Sequence, residues 1–374
     1  MNNSKFNKNL YEFNKYLINQ EKNKTLIKTE GKHYIDRCLR KQNNTIVFQT
    51  DENILISSII PVYNNEKNIF NSICSIQNQN HAKIEIILID DCSRDNSYNI
   101  IKSLERSDKR IKIIKNKKNM GSLYSRSLGV LISQGEYIFP LDNDDMFFSE
   151  VIFTDILKIA KIYNFDIVGF RAFQTSNYNN PIEKIRDLFN YESYPEKIIV
   201  FQPKLSTWML IRNGSYYKHD MTVWAKCIKT TIYKQGTNRL GIDRYSKYVS
   251  WAEDTIINFV IFNLAQSFIF IHKYGIIHLN DLSTATYTMP TSIKLFGELF
   301  LIDIIFDFSK NNSDKNYAVL ASYEVKRTFQ IKKYMNNSNL NYFKSILKKI
   351  LNCQYITDTN KNKIKVDFET FFKQ

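Results

Sequence analysis

The stretch ILISSIIPVYNNEKNIFNSICSIQ, residues 54–77, joins the two sequence patterns from which layered α/β folds are built. Its first part is an almost continuous apolar run typical of a buried strand, and we expect Pro61 to stop that strand. Its second part follows an asparagine expected to cap a helix and has apolar residues at helical spacing, namely Ile69, Phe70, Ile73 and Ile76. The stretch therefore predicts one strand followed by one helix.

The same alternation of strand and helix continues along the chain. IEIILIDD, IKIIK and EYIFPL are further apolar strand runs, and the segments RDNSYNIIKSLERS and SLYSRSLGVLIS between them have helical spacing of apolar residues. Strands joined through helices need crossover connections, which make neighbouring strands parallel. Near-continuous apolar strands are typical of a sheet covered by helices on both faces. We therefore predict an α/β fold with a doubly wound, mostly parallel sheet over residues 54–142.

Polar residues follow each of these four predicted strands. They are Tyr63 with Asn64, Asp90 with Asp91, residues 119–121 and residues 142–145. In open α/β sheets, ligands bind in the crevice outside the carboxyl ends of the strands. The sequence therefore predicts that these four groups meet at one ligand site.

The last of these groups lies in GEYIFPLDNDDMFFSE, residues 135–150, and places three aspartates within four positions of a chain whose formal charge is +15. Such a cluster can be a solvated turn or helix cap, a calcium loop, or a site where a divalent ion holds a phosphate group. The spacing of an EF-hand, with its glutamate at the twelfth position, is absent. Carboxylate oxygens suit Mg²⁺ or Mn²⁺, which would join the cluster to a diphosphate. The position beside the crevice favours this third interpretation.

Charge and cysteine content limit the partners and the compartment. The chain has 52 Lys and Arg against 37 Asp and Glu, a balance that favours nucleotides, anionic membranes or nucleic acid as partners. We expect no nucleic acid partner, because the cations are spread along the termini and no nucleic-acid-binding motif is present. The cysteines include no C-x-x-C pair, which predicts free thiols in a reducing compartment, and they are Cys38, Cys74, Cys92, Cys227 and Cys353.

Two flanking regions are predicted around a central unit at 53–285. Residues 1–52 have an apolar stripe at helical spacing, which predicts a helical extension that either packs on the central unit or lies on a membrane surface. Residues 286–374 are predicted to be helical and basic. Within them, FKSILKKILN places apolar residues on one helix face that would suit either packing or an anionic membrane surface, namely Phe343, Ile346, Leu347 and Ile350.

The sequence shows neither the apolar core of a signal peptide nor an uninterrupted apolar run of about 18 residues. We therefore expect a cytoplasmic protein, with a possible peripheral contact to an anionic membrane.

Four segments carry a resemblance to a known family. SIIPVYNNE, IEIILIDDCSRDNS, NMGSLYSRSLGV and GEYIFPLDNDDMF, in this order and spacing, resemble the donor-binding half of the family 2 glycosyltransferases, which are inverting enzymes with the GT-A fold. The resemblance covers about residues 55–175 and resumes at WAEDTIINFVIF, residues 251–262, which is similar to the family's Glu-Asp motif. It implies a GT-A enzyme that uses Mn²⁺ or Mg²⁺ and transfers a sugar from a nucleotide-diphosphate donor to a glycan, lipid or protein acceptor.

The resemblance also implies roles for individual residues in donor binding. Tyr63 would stack on the nucleotide base and Asp91 would accept a hydrogen bond from it, with uracil the usual base. The alternatives are that Tyr63 is an aromatic residue at the edge of the core and that Asp91 caps a helix. Further nucleotide contacts are implied for Pro61, Glu66, Asn119, Asp142 and Asn143.

The implied metal ligands lie in the same acidic cluster and beyond it. Asp144 would be the direct metal ligand, and Asp142 would lie near the ribose or the metal. Asp145 could instead cap the following helix. His278 would add a contact to the metal or a phosphate, although a lone histidine is more often structural.

The Glu-Asp motif implies the catalytic residues. Asp254 would be the general base and Glu253 a supporting group, and the alternative is that both cap a helix beginning near Thr255. Cys92 replaces the small residue usual after the paired aspartates, which leaves the donor sugar open. A catalytically silent nucleotide-sugar-binding relative and a basic protein that binds nucleic acid or membranes are the competing interpretations.

Overall fold

The computed structural model describes residues 53–175, 186–187, 198–201, 211–212, 215–216, 222–242, 248–279, 289–311 and 337–352. The predicted N-terminal helical extension lies outside these residues. In the described part, three of the five cysteines form no disulfide: Cys74, Cys92 and Cys227.

The first half of the fold is the predicted alternation of strands and helices. Its elements are β1 (Ile56–Val62), α1 (Ile69–Gln77), β2 (Ile84–Asp90), α2 (Ser97–Ser107), β3 (Ile111–Lys115), α3 (Ser122–Ile132) and β4 (Tyr137–Pro140). These strands pair in parallel in the order β3-β2-β1-β4. The prediction of a parallel, doubly wound sheet is therefore confirmed.

The second half extends this sheet with mixed pairing. Its elements are β5 (Met146–Phe147), α4 (Ile152–Tyr163), β6 (Ile167–Thr175), β7 (Arg186–Asp187), β8 (Ile198–Phe201), β9 (Ile211–Arg212), β10 (Ser215–Tyr216), β11 (Lys226–Lys229), α5 (Thr230–Leu240), α6 (Glu253–Leu264), β12 (Ser267–Leu279), α7 (Thr291–Asn311) and α8 (Asn337–Leu351). Strand β11 enters antiparallel between β4 and β6, and β12 pairs in parallel with β6. The result is a ten-stranded mixed sheet, with β9 and β10 forming a separate pair.

Side chains of the central strands alternate between two cores. Ile59 of β1 faces a core built with α3, α5, α6, α7 and α8, whereas Ile60 faces a core built with α1 and α4. Successive strand residues point to opposite faces of a sheet, so a strand buried on both faces needs apolar residues at nearly every position. This requirement explains the continuous apolar runs in the sequence.

Two details of the first strand–helix unit differ from the prediction. Strand β1 continues through Pro61 to Val62, because its pairing with β4 ends at Ile59 and the missing N–H of Pro61 interrupts no bond on that side. In α1, Phe70 is 43% exposed, and Asn68 at the N-cap makes no side-chain capping bond. The buried face of α1 instead consists of Ile69, Ile73 and Ile76 with small polar neighbours.

The C-terminal helices pack on the first of these cores. Phe343, Ile346 and Leu347 of α8 are buried in the same cluster as residues of α3, α5, α6 and α7. Packing inside the protein therefore accounts for the apolar face that could also have suited a membrane. Among the described residues, no helix combines the length and the apolarity that a bilayer crossing requires.

Candidate active site

A cavity of about 900 Å³ lies at the carboxyl ends of β1, β2 and β4. The structure brings every site residue predicted from the sequence to its wall: Pro61, Tyr63, Glu66, Asp91, Asn119, Asp142, Asn143, Asp144, Glu253, Asp254 and His278. These residues are far apart in the sequence, and they meet because the parallel strands and the start of α6 converge on one edge of the sheet.

The loop after β1 presents Tyr63 to the cavity. Tyr63 is 37% exposed, so its ring is accessible to a ligand instead of being part of the core edge. The neighbouring backbone is fixed, since Asn64 Oδ1 accepts a hydrogen bond from the N–H of Arg94 at 2.8 Å. Glu66 makes a similar contact, since its Oε2 accepts a hydrogen bond from the N–H of Asn96 at 2.8 Å. These bonds hold the loops after β1 and β2 together beside the cavity.

Asp91 is a buried carboxylate that organises the loop before α3. It accepts hydrogen bonds from Asn116 Nδ2 and from the N–H groups of Met120 and Gly121, each at 2.8 Å. It does not cap α2, because Asp95 Oδ1 accepts from the N–H of Ser97 at the start of that helix. The loop also requires glycine, since Gly121 has φ +91° and an added Cβ would lie 2.6 Å from the carbonyl oxygen of Val249.

The acidic cluster after β4 has the composition of a divalent-cation site. Asp142, Asp144 and Asp145 each offer one oxygen, and these oxygens lie within 4.8 Å of one another. Burial and the charges of Asp145 and Asp142 raise the pKa of Asp144 well above its usual range. A bound Mg²⁺ or Mn²⁺ would relieve this repulsion through hard oxygen ligands, so the residues fit the predicted ion.

Asp145 fixes this turn instead of capping the following helix, which disfavours the alternative of a helix cap. Its buried Oδ1 accepts hydrogen bonds from His278 Nδ1 at 2.9 Å and from the N–H of Leu279 at 3.1 Å. Short strand β5 follows the turn, and α4 begins only at Ile152. The side chain of Asp145 therefore points to the end of β12.

His278 is held beside the acidic turn. Its ring stacks on Trp224, with centroids 5.0 Å apart and planes at 12°. Burial alone would lower the pKa of His278, but Asp145 and its neighbours raise it to about 9. Nδ1 is engaged by Asp145, and a protonated imidazolium offers Nε2–H as a donor, which suits a phosphate oxygen better than a metal ion.

Sequence reasoning missed Arg126. Its guanidinium is buried on α3, lines the cavity, and donates from Nη2 to Asp142 Oδ1 at 2.6 Å. Burial opposes its charge, yet Asp142 and Asp254 raise its pKa further above the usual range. Arg126 is the one charged residue of the helix segment SLYSRSLGVLI. A single charge on an otherwise uncharged helix could have identified Arg126 as a candidate site residue from the sequence.

The Glu-Asp pair starts α6 without capping it. The helix begins at Glu253 and not near Thr255, after Ala252 at φ 60°, and no side-chain capping bond is present. Glu253 Oε1 accepts from Ser122 Oγ at 2.8 Å. Neither carboxylate therefore acts as the N-cap, which disfavours the capping alternative.

Asp254 has the environment of a general base. The backbone N–H of Val223 bonds to its carboxylate, and Oδ1 is buried without a hydrogen-bond partner among the described residues. Burial, then the charges of Glu253 and Asp142, raises the pKa of Asp254 well above its usual range. An unsatisfied carboxylate oxygen with a raised pKa at a cavity wall is suited to accept a proton.

Known structures share this architecture. The S. aureus TarS 1-349 structure in complex with UDP-GlcNAc matches with a TM-score of 0.60 and 14% sequence identity, covering 85% of this chain and 89% of that one. The two proteins therefore have the same fold, which is the GT-A fold.

Sequence comparisons identify the family to which the chain belongs. The family model described as glycosyl transferase family 2 matches residues 57–222. A protein of Haemophilus influenzae named an uncharacterized glycosyltransferase is 38% identical over 240 residues, or 64% of this chain and 88% of that protein. The chain belongs to glycosyl transferase family 2.

A relative with a more specific name covers a shorter segment. The Escherichia coli protein WfgD, named UDP-Glc:alpha-D-GlcNAc-diphosphoundecaprenol beta-1,3-glucosyltransferase, is 34% identical over 141 residues. That match spans 34% of this chain and 55% of WfgD.

Proposed function

We propose that this protein is a metal-dependent, inverting glycosyltransferase that moves a sugar from a UDP-sugar to a hydroxyl group of a glycan, lipid or protein acceptor. One observation carries the proposal: Asp142 and Asp144 after β4 and Asp254 at the start of α6 line the same cavity. An inverting transfer needs one carboxylate site for the departing diphosphate and one base for the attacking hydroxyl. Asp142 and Asp144 can supply the first, and Asp254 can supply the second.

The donor end of the cavity suits a uridine nucleotide. The accessible ring of Tyr63 can stack on a base, and Asp91 lies beside it with a carboxylate that can accept from an N–H of uracil. TarS was solved with UDP-GlcNAc, and the name of WfgD specifies a UDP-glucose donor. These relatives support a UDP-sugar as the donor.

Asp254 performs the proton transfer in the proposed reaction. It takes the proton of the acceptor hydroxyl as that oxygen forms a bond to the anomeric carbon. The bond between the anomeric carbon and the diphosphate oxygen breaks, and its electron pair leaves with UDP. Attack and departure occur on opposite faces of the sugar, so the configuration inverts without a covalent enzyme intermediate.

Other residues hold the reacting groups. A divalent ion bound at Asp144 and Asp142 would neutralise the diphosphate and stabilise its departure. Arg126 fixes Asp142 through its 2.6 Å bond, and the imidazolium of His278 lies at the same cavity wall, where its Nε2–H can donate to a phosphate oxygen. Arg126 and His278 thus supply positive charge beside the three aspartates of the acidic turn.

A donor screen tests the proposal. Purified protein is incubated with a panel of nucleotide sugars, Mn²⁺ and simple glycan or lipid-linked acceptors, and the release of nucleoside diphosphate is measured. We expect release from a UDP-sugar that increases when an acceptor is added. Nucleotide-sugar binding without release or transfer under any of these conditions would instead identify a catalytically silent relative.

A further inference from the structure

Helix α7, outside the family match at 57–222, contacts the segment that immediately precedes the Glu-Asp pair. The indole Nε1 of Trp251 donates a hydrogen bond to Glu298 Oε1 at 3.1 Å. Glu298 is only 4% exposed, and both residues line the cavity. A buried carboxylate on a helix with no recognisable motif is thus bonded to a residue two positions before the catalytic pair.

Two further contacts hold Trp251 against the same face of α7. Gly297 lies so close that an added Cβ would be 2.1 Å from the carbonyl oxygen of Trp251. Lys294 Nζ lies 4.6 Å from the centroid of the indole ring. Residues 294, 297 and 298 are spaced by three and four positions and therefore share one helix face.

The other side of this turn is fixed by α3. The carbonyl oxygen of Val249 accepts from the N–H of Leu123 at 3.1 Å, and Ser250 Oγ accepts from the N–H of Ser122 at 2.9 Å. Ala252 then adopts φ 60°, a left-handed conformation that costs an alanine about 1 kcal/mol or more and needs support from its surroundings. The start of α6 is therefore oriented by a turn clamped between α3 and α7.

We propose that Glu298 is a positioning residue for Asp254, acting through its hydrogen bond to Trp251. The inference rests on the proposed role of Asp254 as the general base. Through Trp251, Glu298 fixes the backbone from which the Asp254 carboxylate projects. Because the required feature is an acceptor oxygen for the indole N–H, a neutral glutamine at position 298 should serve as well as glutamate.

Three variants separate this role from a charge effect. Glu298→Ala removes the acceptor, Trp251→Phe removes the donor, and Glu298→Gln keeps an acceptor oxygen. We expect kcat for transfer to fall about ten- to hundred-fold in the first two, since a misplacement of about 1 Å can have such an effect. In these two variants, the KM for the donor and the affinity for UDP should change less than about two-fold. Glu298→Gln should retain near-normal kcat. The double variant that combines Glu298→Ala with Trp251→Phe should have a kcat no lower than that of either single variant.

A matched control comes from the same helix. Asp303 is also a buried carboxylate on α7, but it accepts from Tyr342 at 3.0 Å and pairs with Lys349 of α8, away from the cavity. Asp303→Ala should lower the Tm without lowering kcat. Normal kcat in Glu298→Ala, or an equal loss in Glu298→Gln, would overturn the positioning role.

A second readout does not depend on turnover. The carboxyl titration of Asp254, followed by ¹³C NMR and assigned with Asp254→Asn, should shift in Glu298→Ala and Trp251→Phe but not in Glu298→Gln or Asp303→Ala. If the parent protein transfers no sugar, the proposed function fails, and the titration alone decides whether Glu298 positions Asp254. An unchanged titration in both Glu298→Ala and Trp251→Phe would refute it.

Discussion

His278 Nδ1 lies 2.9 Å from Asp145 Oδ1, and this contact joins the end of β12 to the acidic turn after β4. The N–H of Leu279 donates to the same oxygen at 3.1 Å. The turn that carries Asp142 and Asp144 is therefore held by residues far along the chain. This arrangement engages one carboxylate oxygen of Asp145 with the end of β12 and leaves the other two aspartates as the more accessible acidic groups of the turn.

Replacing Asp254 by asparagine should separate catalysis from folding. We expect the transfer rate to fall by about two to four orders of magnitude, the usual effect of a positioned general base, while the affinity for UDP stays unchanged. Rates and calorimetry on Asp254→Asn test this expectation. A variant with near-normal turnover would exclude Asp254 as the base.

The same substitution should not lower the Tm at neutral pH. Because burial and nearby charges raise the folded-state pKa of Asp254, its contribution to stability is fully present below the unfolded-state pKa and is lost as the pH rises through the folded-state pKa. An uncharged asparagine avoids that loss. The difference in Tm between the variant and the parent should therefore shrink as the pH is lowered toward about 4, near the ordinary pKa of aspartate.

The transfer rate should depend on pH through Asp254. A base works in its deprotonated form, so the rate should rise with pH, with a midpoint above the ordinary aspartate value of about 3.9. A kcat profile across the acidic and neutral range checks this. A rate that stays flat down to about pH 4 would contradict the raised pKa of the base.

Binding of UDP should require a divalent ion held by Asp144. We expect Mn²⁺ to strengthen UDP binding at least about ten-fold, or ~1.4 kcal/mol, and Asp144→Asn to abolish that gain. Calorimetry with Mn²⁺ and with EDTA measures the difference. Asp155→Asn is the control, because Asp155 pairs with Lys273 and is not among the residues lining the cavity. Equal UDP affinity with and without EDTA would contradict metal dependence.

Tyr63 should determine much of the nucleotide affinity. If its ring stacks on the base, Tyr63→Ala should weaken UDP binding by about 1–3 kcal/mol, the range measured for base–aromatic stacking, whereas Tyr63→Phe should bind normally. Competition between UDP and GDP tests the base preference on the same protein. Stronger binding of GDP would contradict the uridine assignment.

The part of the site predictable from sequence is the part set by strand periodicity. Apolar runs identified β1 to β4, and because parallel strands end at one edge, the residues after them, such as Tyr63 and Asp91, could be placed together before the structure was known. The roles of the Glu-Asp pair, by contrast, were inferred from the resemblance to the family. The position of the pair at the same cavity depends on how α6 packs, which no local pattern specifies.

The details that sequence did not reveal depend on contacts between distant segments. Pro61 continues β1 because the pairing with β4 has already ended, and Asp145 binds His278 instead of a nearby helix. Arg126 is hydrogen-bonded to Asp142, and Glu298 is hydrogen-bonded to Trp251. A side chain's partner across the fold is invisible in a local pattern, even where the residue itself is conspicuous.

The burial of α7 and α8 bears on how short this chain can be made. Phe300 and Ile304 of α7 and Phe343 of α8 belong to the same core cluster as the residues of α3, α5 and α6. A chain truncated after β12 would expose that apolar surface to water, and large exposed apolar patches promote aggregation. We therefore expect a fragment limited to the region matched by the family model, residues 57–222, to aggregate, and expression trials should retain both helices.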